Sequence, residues 1–376
     1  MKKSIFLTFI FVLASILTVN ASDLKFMASE DISYDDNIYL QNGGRIGSGI
    51  FSTKLGALYD LTVPNTSLEG KISGIVGYNA YTKHNGTNGY WDTLVNAEVG
   101  NNALKLGDTF LLTSDPANSE LTERAQRIKN NVYASYRTSA YKKLSFGVYI
   151  SDELNKYTGA TFQNLNRNRL NLGVGAYYNI SEKTSLLAEY TYHILAYQKT
   201  QANNSNGGTL ALGVEGQIAP KVTGEAKVTY NYRNYTHEVD GYDDYANLVG
   251  YNLALTWEPT SQNLIRLSGS RDFEETIYTN NRYFVSTGIK LYGSQKIMDK
   301  FTAGLTLGYE NLSYAKEVAG VKRCDDVVTV RPEVNYQFKE WLSAGVWYQY
   351  RRRASNAGAA NFYFNNRVGA FVKAIF

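Results

Sequence analysis

The residues of this chain best suited to chemistry are few: His84, His193, His237, Cys324 and three acidic doublets. A hydrolytic site needs a histidine within reach of a nucleophile or a carboxylate. His237-Glu238-Val239-Asp240 comes nearest, but its spacing matches no arrangement with a mechanical rationale, and loop composition explains it. We expect no enzymatic activity and no cofactor. The lone Cys324 excludes an intrachain disulfide and any metal site built on cysteine pairs, and reads as a loop residue. The doublets Asp35-Asp36, Asp243-Asp244 and Asp325-Asp326 carry the hard oxygens that calcium prefers, but solvated loops account for them better, so no metal is expected.

A larger group of charges is distinguished by position. Arg167, Arg169, Glu189, Glu215, Glu225, Lys227, Arg233, Glu258, Arg266, Lys290, Glu310, Arg331, Glu333, Arg351, Arg353, Arg367 and Lys373 fall on the polar side of alternating stretches. In Phe301 to Glu310, for instance, Phe301, Ala303, Leu305, Leu307 and Tyr309 oppose Thr302, Gly304, Thr306, Gly308 and Glu310. Period-two alternation of this kind belongs to β-strands with one apolar face. Arg271 falls on the apolar side, where an outer interface or a bulge would accommodate it.

The elements carrying these charges repeat. Short polar turns mark Lys143, Lys183, Lys221, Gln262, Lys300 and Lys339, at spacings of 40, 38, 41, 38 and 39 residues. Each unit holds two long strands, one tight turn and one looser polar segment. A propeller blade would need four short strands in that length, which runs such as Phe301 to Tyr314 exclude. Further strands are expected near 24–40, 44–60, 68–84, 90–100, 103–113 and 126–140, with an external loop from Asp115 to Thr122. The total is about 18, with 16 as the fallback because Asn101-Asn102 is a weak turn.

The two ends of the chain fix its class. Met1-Lys2-Lys3, an apolar run from Ile5 to Leu17 and small residues up to Ala21 have the layout of a cleavable signal peptide over residues 1–21. The run is too short to span a bilayer as a helix. At the far end Val368, Ala370, Val372, Ala374 and Phe376 alternate to a terminal aromatic, the form of signal that the outer-membrane assembly machinery reads. With 31 Tyr and only 5 Pro, the composition suits long ladders and membrane headgroup levels. The expected fold is all-β: a transmembrane antiparallel up-and-down β-barrel in the bacterial outer membrane over residues 22–376. Its surroundings would be outer-membrane lipid and lipopolysaccharide. A balance of 38 basic against 34 acidic residues argues against nucleic acid as a partner.

Tyr34-Asp35-Asp36-Asn37-Ile38-Tyr39, Asp108-Thr109-Phe110 with Thr113-Ser114-Asp115-Pro116-Ala117, and Tyr251 to Thr260 resemble the "Putative beta-barrel porin 2" family. The resemblance implies a porin-like channel associated with exopolysaccharide or its export components. Composition and periodicity show no such association. The charge set reads either as the lining of a water-filled pore or as salt bridges filling the lumen. About 18 strands enclose a bore too wide for side chains alone to fill, which favours an open or loop-constricted channel. A structural or adhesive barrel with an obstructed lumen is the alternative. Arg351, Arg352 and Arg353, near the outer mouth, suit an anionic polymer, acidic loops or lipopolysaccharide phosphate equally. No residue identifies a subunit interface.

Overall fold

The computed structural model describes residues 23–62, 66–138, 141–278, 281–318 and 320–376. The leader expected over residues 1–21 lies outside them. Along the chain come β1 (Asp23–Asp35), β2 (Ser48–Thr62), β3 (Glu69–Tyr81), β4 (Tyr90–Gly100), β5 (Leu104–Thr113) and β6 (Arg127–Arg137). They are followed by β7 (Leu144–Tyr157), β8 (Arg167–Asn179), β9 (Thr184–Tyr197), β10 (Ser205–Ala219), β11 (Val222–Tyr235) and β12 (Tyr245–Thr260). The last six are β13 (Asn263–Glu274), β14 (Phe284–Lys296), β15 (Phe301–Tyr314), β16 (Cys324–Lys339), β17 (Leu342–Ser355) and β18 (Tyr363–Ile375). Each pairs antiparallel with its sequence neighbours, and β1 closes on β18, so one 18-stranded barrel results. Closure pairs the backbone groups of the strands, the condition for crossing lipid with strands.

The repeated turns end these hairpins where the spacing places them. Pro220-Lys221 is a compact case: Lys221 takes a left-handed φ of 60° and the register slips between Gln217 and Ala219. Gly216 and Gly224 face each other just inside that turn at φ 99° and 138°. A Cβ on Gly224 would come within 1.8 Å of the Ala254 carbonyl oxygen, so only glycine fits. Asn101 makes the weaker turn between β4 and β5 workable, because its Oδ1 accepts the Ala103 and Leu104 N–H groups at 2.8 Å each. β1 stops at Asp35, earlier than the pattern implies. There Asn37 turns the chain, with its side chain bonded to the Gln41 backbone and the Phe364 carbonyl.

Strand inclination follows from the register. Phe301 at the start of β15 pairs in succession with Tyr336, Ala344, Val372, Glu30, Thr53, Tyr78 and Trp91. That row climbs from the turn end of the barrel to its loop end. The apolar side of the wall has no protein cover: Leu55, Val228 and Val249 are each more than 60% exposed. Aromatic residues flank this band, with Phe26, Trp257, Phe338 and Trp341 towards the turns and Tyr34, Trp91, Tyr245 and Tyr348 towards the loops. Rings with polar tips settle at such boundaries between hydrocarbon and headgroups.

Three carboxylates, Glu30, Asp108 and Asp152, interrupt the band. Glu30 lies halfway along the row just traced and accepts the Thr53 hydroxyl at 2.6 Å. Asp108 lies near the middle of a second row running from Leu24 to Asn206, and accepts Asn130 Nδ2 at 2.6 Å.

Candidate functional site

Loop residues 114–126, between β5 and β6, do not stay outside the barrel. Pro116 offers no N–H with which to extend the β5 ladder, and Asp115 turns back to Arg124 at 2.7 Å. The segment crosses the lumen and fastens to the far wall. Ser119 donates to Glu310 on β15 and accepts Arg351 Nη2 from β17 at 2.9 Å. Arg353 Nη1 donates to the Ser119 and Glu120 carbonyls at 3.2 Å each. β6 and β15 stand nine strands apart, half the ring, so this strap spans the full bore.

Glu120 forms the deepest attachment. Its carboxylate is buried and accepts the Thr276 hydroxyl at 2.5 Å, the Ile277 N–H at 2.9 Å and the Tyr314 hydroxyl at 2.9 Å. Burial pushes its pKa above the ordinary glutamate value, and the three donors work against that rise. The apolar Leu121 beside it is buried too.

The segment that follows β13, residues 275–278, also turns inward. Glu275 meets Arg233 of β11 at 3.1 Å and Arg169 of β8 at 3.6 Å, and accepts the Tyr197 hydroxyl of β9. Burial alone would raise this carboxyl, but the Arg233, Arg167 and Arg169 charges overcome it and hold the pKa down to about 2. Asn118 Nδ2 donates to the Glu275 carbonyl at 3.4 Å, which links the two inward loops.

The charges singled out by spacing divide into three groups. Arg233 and Arg353 are buried and hold loops, with Arg169 and Arg167 gathered around Glu275. On β9 to β11, Lys227 lies 3.0 Å from Glu189 and 2.8 Å from Glu225, while Glu215 pairs with Arg137 of β6. On β13 to β18 the balance differs. Arg331 lies 3.5 Å from Glu333 and stacks 4.3 Å over Trp347. Arg367 donates to Ser33 Oγ at 2.9 Å and lies over the same ring. Among the described residues no carboxylate lies within 4 Å of Arg266, Lys290, Arg351 or Arg367. Glu258 and Lys373 sit near the turn ends of β12 and β18. Arg271, the last β13 residue paired with β12, donates to Thr287 Oγ1 at 2.8 Å near the loop end.

Free space lies beside Arg137, Tyr177 and Glu189, where a cavity measures about 440 Å³, and along that last wall. A cavity of about 750 Å³ opens beneath Ser119 and is lined by Lys290, Glu310, Arg331 and Arg351. A second of about 450 Å³ shares Ser268, Lys290 and Thr306 with it and continues to Arg266 and Thr256. The two follow one another down this wall, from the strap towards the turn end.

The remaining candidates have other partners. His193 contacts Asn171 Oδ1 at 2.7 Å and Thr209 Oγ1 at 2.9 Å, and His237 contacts Thr236 Oγ1 at 3.0 Å. Cys324 opens β16 rather than sitting in a loop, and its Sγ accepts Asn311 Nδ2. Asp325 is not solvated: it is fully buried against Arg323. Asp243 and Asp244 pair with Lys316 and Arg282, and Asp36 with Arg45. In the arginine triplet, Arg351 and Arg353 hold the strap, while Arg352 lies over Phe362. Ser119, Glu120 and Glu275 were absent from the spacing argument because they lie in loops. Leu121 inside a polar loop was the one available sign of inward folding.

The family model described as "Putative beta-barrel porin 2" matches residues 107–376. Among solved structures, Pseudomonas aeruginosa OccK2 (OpdF), in complex with glucuronate, is 11% identical; the match covers 94% of this chain and 98% of that one, with a TM-score of 0.53. OpdK from the same organism is 10% identical, over 95% and 100% of the two chains, with a TM-score of 0.50. Acinetobacter baumannii OccAB3 is 7% identical, over 94% and 99%, with a TM-score of 0.50. At these identities the likeness concerns the fold. No curated protein matches the chain.

Proposed function

The chain belongs to the "Putative beta-barrel porin 2" family of the bacterial outer membrane, and from that premise we propose that it is a diffusion channel for small hydrophilic solutes. The observation that carries this reading is the free space beneath Ser119, bounded by wall charges and narrowed by a strap fixed on both sides of the bore. A strap pinned through Ser119 and Glu120 leaves a route for small molecules but opposes threading of a polymer. Solute diffusion therefore fits the geometry better than exopolysaccharide export. Outer-membrane lipid and lipopolysaccharide surround the apolar band in this reading, and Phe376 with its alternating partners presents the assembly signal. The wall residues act by charge and position, with no catalytic step.

The test is single-channel recording of the folded protein in a planar bilayer, with permeation of sugars of graded size. Steady conductance with a sharp sugar cut-off is expected. A folded barrel passing neither ions nor sugars would overturn the channel reading in favour of an obstructed, structural barrel.

A further inference from the structure

Resting on the channel reading, we infer that the free space beneath the strap contains a binding trough for small anionic solutes, those bearing a carboxylate or phosphate. The register supplies its shape. Lys290 of β14 pairs across with Gly308, Thr329 and Arg351 in turn. One row nearer the turns, Arg266 pairs across with Tyr292, Thr306 and Arg331. Each row therefore sets two cations three strands apart, about 14 Å at ordinary strand spacing. Gly308, Thr329 and Thr306 form a floor of short side chains, with the Tyr292 ring standing beside Arg266. Both rows line the cavities under the strap.

The charge in the trough is only partly compensated: Arg266, Lys290, Arg331 and Arg351 face two carboxylates, Glu310 and Glu333. On the β9–β11 wall Lys227 is matched by two glutamates, and Arg233 is consumed by Glu275. The two acids beside the trough are engaged: Glu310 accepts Ser286 and Ser119, and Glu333 faces Arg331. Arg266 and Lys290 have neither carboxylate nor hydrogen-bond partner among the described residues, and both are exposed to the lumen. Fixed cations in a narrow passage with low-dielectric walls concentrate anions and repel cations. Guanidinium groups add paired donors that match the oxygens of a carboxylate or phosphate.

Reversal potentials of the folded channel under a KCl gradient test this directly, with inorganic phosphate added as a competing anion. Wild type is expected to prefer chloride to potassium, and phosphate to reduce the chloride current. Lys290→Glu and Arg266→Glu should each lower the anion preference by about threefold. Lys290→Gln and Arg266→Gln should give smaller shifts the same way, should the reversals fold poorly. Lys142→Glu, in an exposed turn, should leave selectivity unchanged. A conducting wild type that prefers potassium, or is indifferent to all four wall substitutions, would overturn the trough and leave the channel standing. Absence of conductance to any salt would overturn both.

Discussion

Replacing Glu275 with Ala tests how firmly the segment after β13 is held. The structure sets the magnitude in two ways. Holding its carboxyl near 2, against 4.5 for an ordinary glutamate, corresponds to about 3 kcal/mol favouring the clamped state. Glu275 is only 3% exposed, so solvent screens little of this. Independently, removing one partner of a buried ion pair costs about 3–5 kcal/mol because the other charge is stranded. Arg233, 8% exposed, would be left in that position. A loss of about 3 kcal/mol raises the open population of residues 275–278 by roughly a hundredfold. Amide hydrogen exchange in lipid nanodiscs reads this at Ile277, whose N–H bonds Glu120, and at Asn281, whose N–H bonds the Tyr278 carbonyl. Both should exchange about a hundred times faster in the variant, with β13 and β14 unchanged. If a folded Glu275→Ala barrel exchanged within twofold of wild type there, the arginine clamp would not hold the loop.

The same clamp has a defined acid limit. Its folded pKa is depressed, so its stabilisation is present above pH 4.5 and is lost as pH falls from 4.5 towards 2. Limited proteolysis of residues 275–278 by an acid-active protease should be flat down to about pH 4 and rise steeply towards pH 2. Glu120→Ala removes the acceptor of three donors and should free the strap, giving larger and noisier single-channel currents. On the lipid side, Asp108→Leu should leave stability unchanged or raise it. Asp108→Arg should cost about 2–4 kcal/mol, both read by chemical unfolding from vesicles. Deleting Phe376 removes its reciprocal backbone bonds with Phe26, so less of the chain should reach the heat-modifiable folded form on a gel.

The wall of this protein was open to reading in its sequence because lipid imposes a period of two on every strand. A one-residue slip of β17 would turn Arg351 and Arg353 outward together, so the parity of each strand is determined by several residues at once. The strap was not open to reading, because loop residues obey no period. Ser119 meets β15 and β17 only because ring closure brings the far wall within reach. Asp325 shows the same limit: an acidic doublet reads as solvated until Arg323 is placed against it. Glu30 and Asp108 fell in the less regular first third, where the alternation is too weak to reveal a carboxylate on the lipid side.

The bonding between Phe26 and Phe376 also sets an order of events. The seam joins β1 to β18, so it cannot exist until both strands are available to pair. Until then the chain carries two open strand edges, each a template for pairing with another chain. The closed wall presents an uncovered apolar face that water disfavours, so closure is expected where lipid can cover it. For this barrel, reaching lipid and completing the fold are then one event.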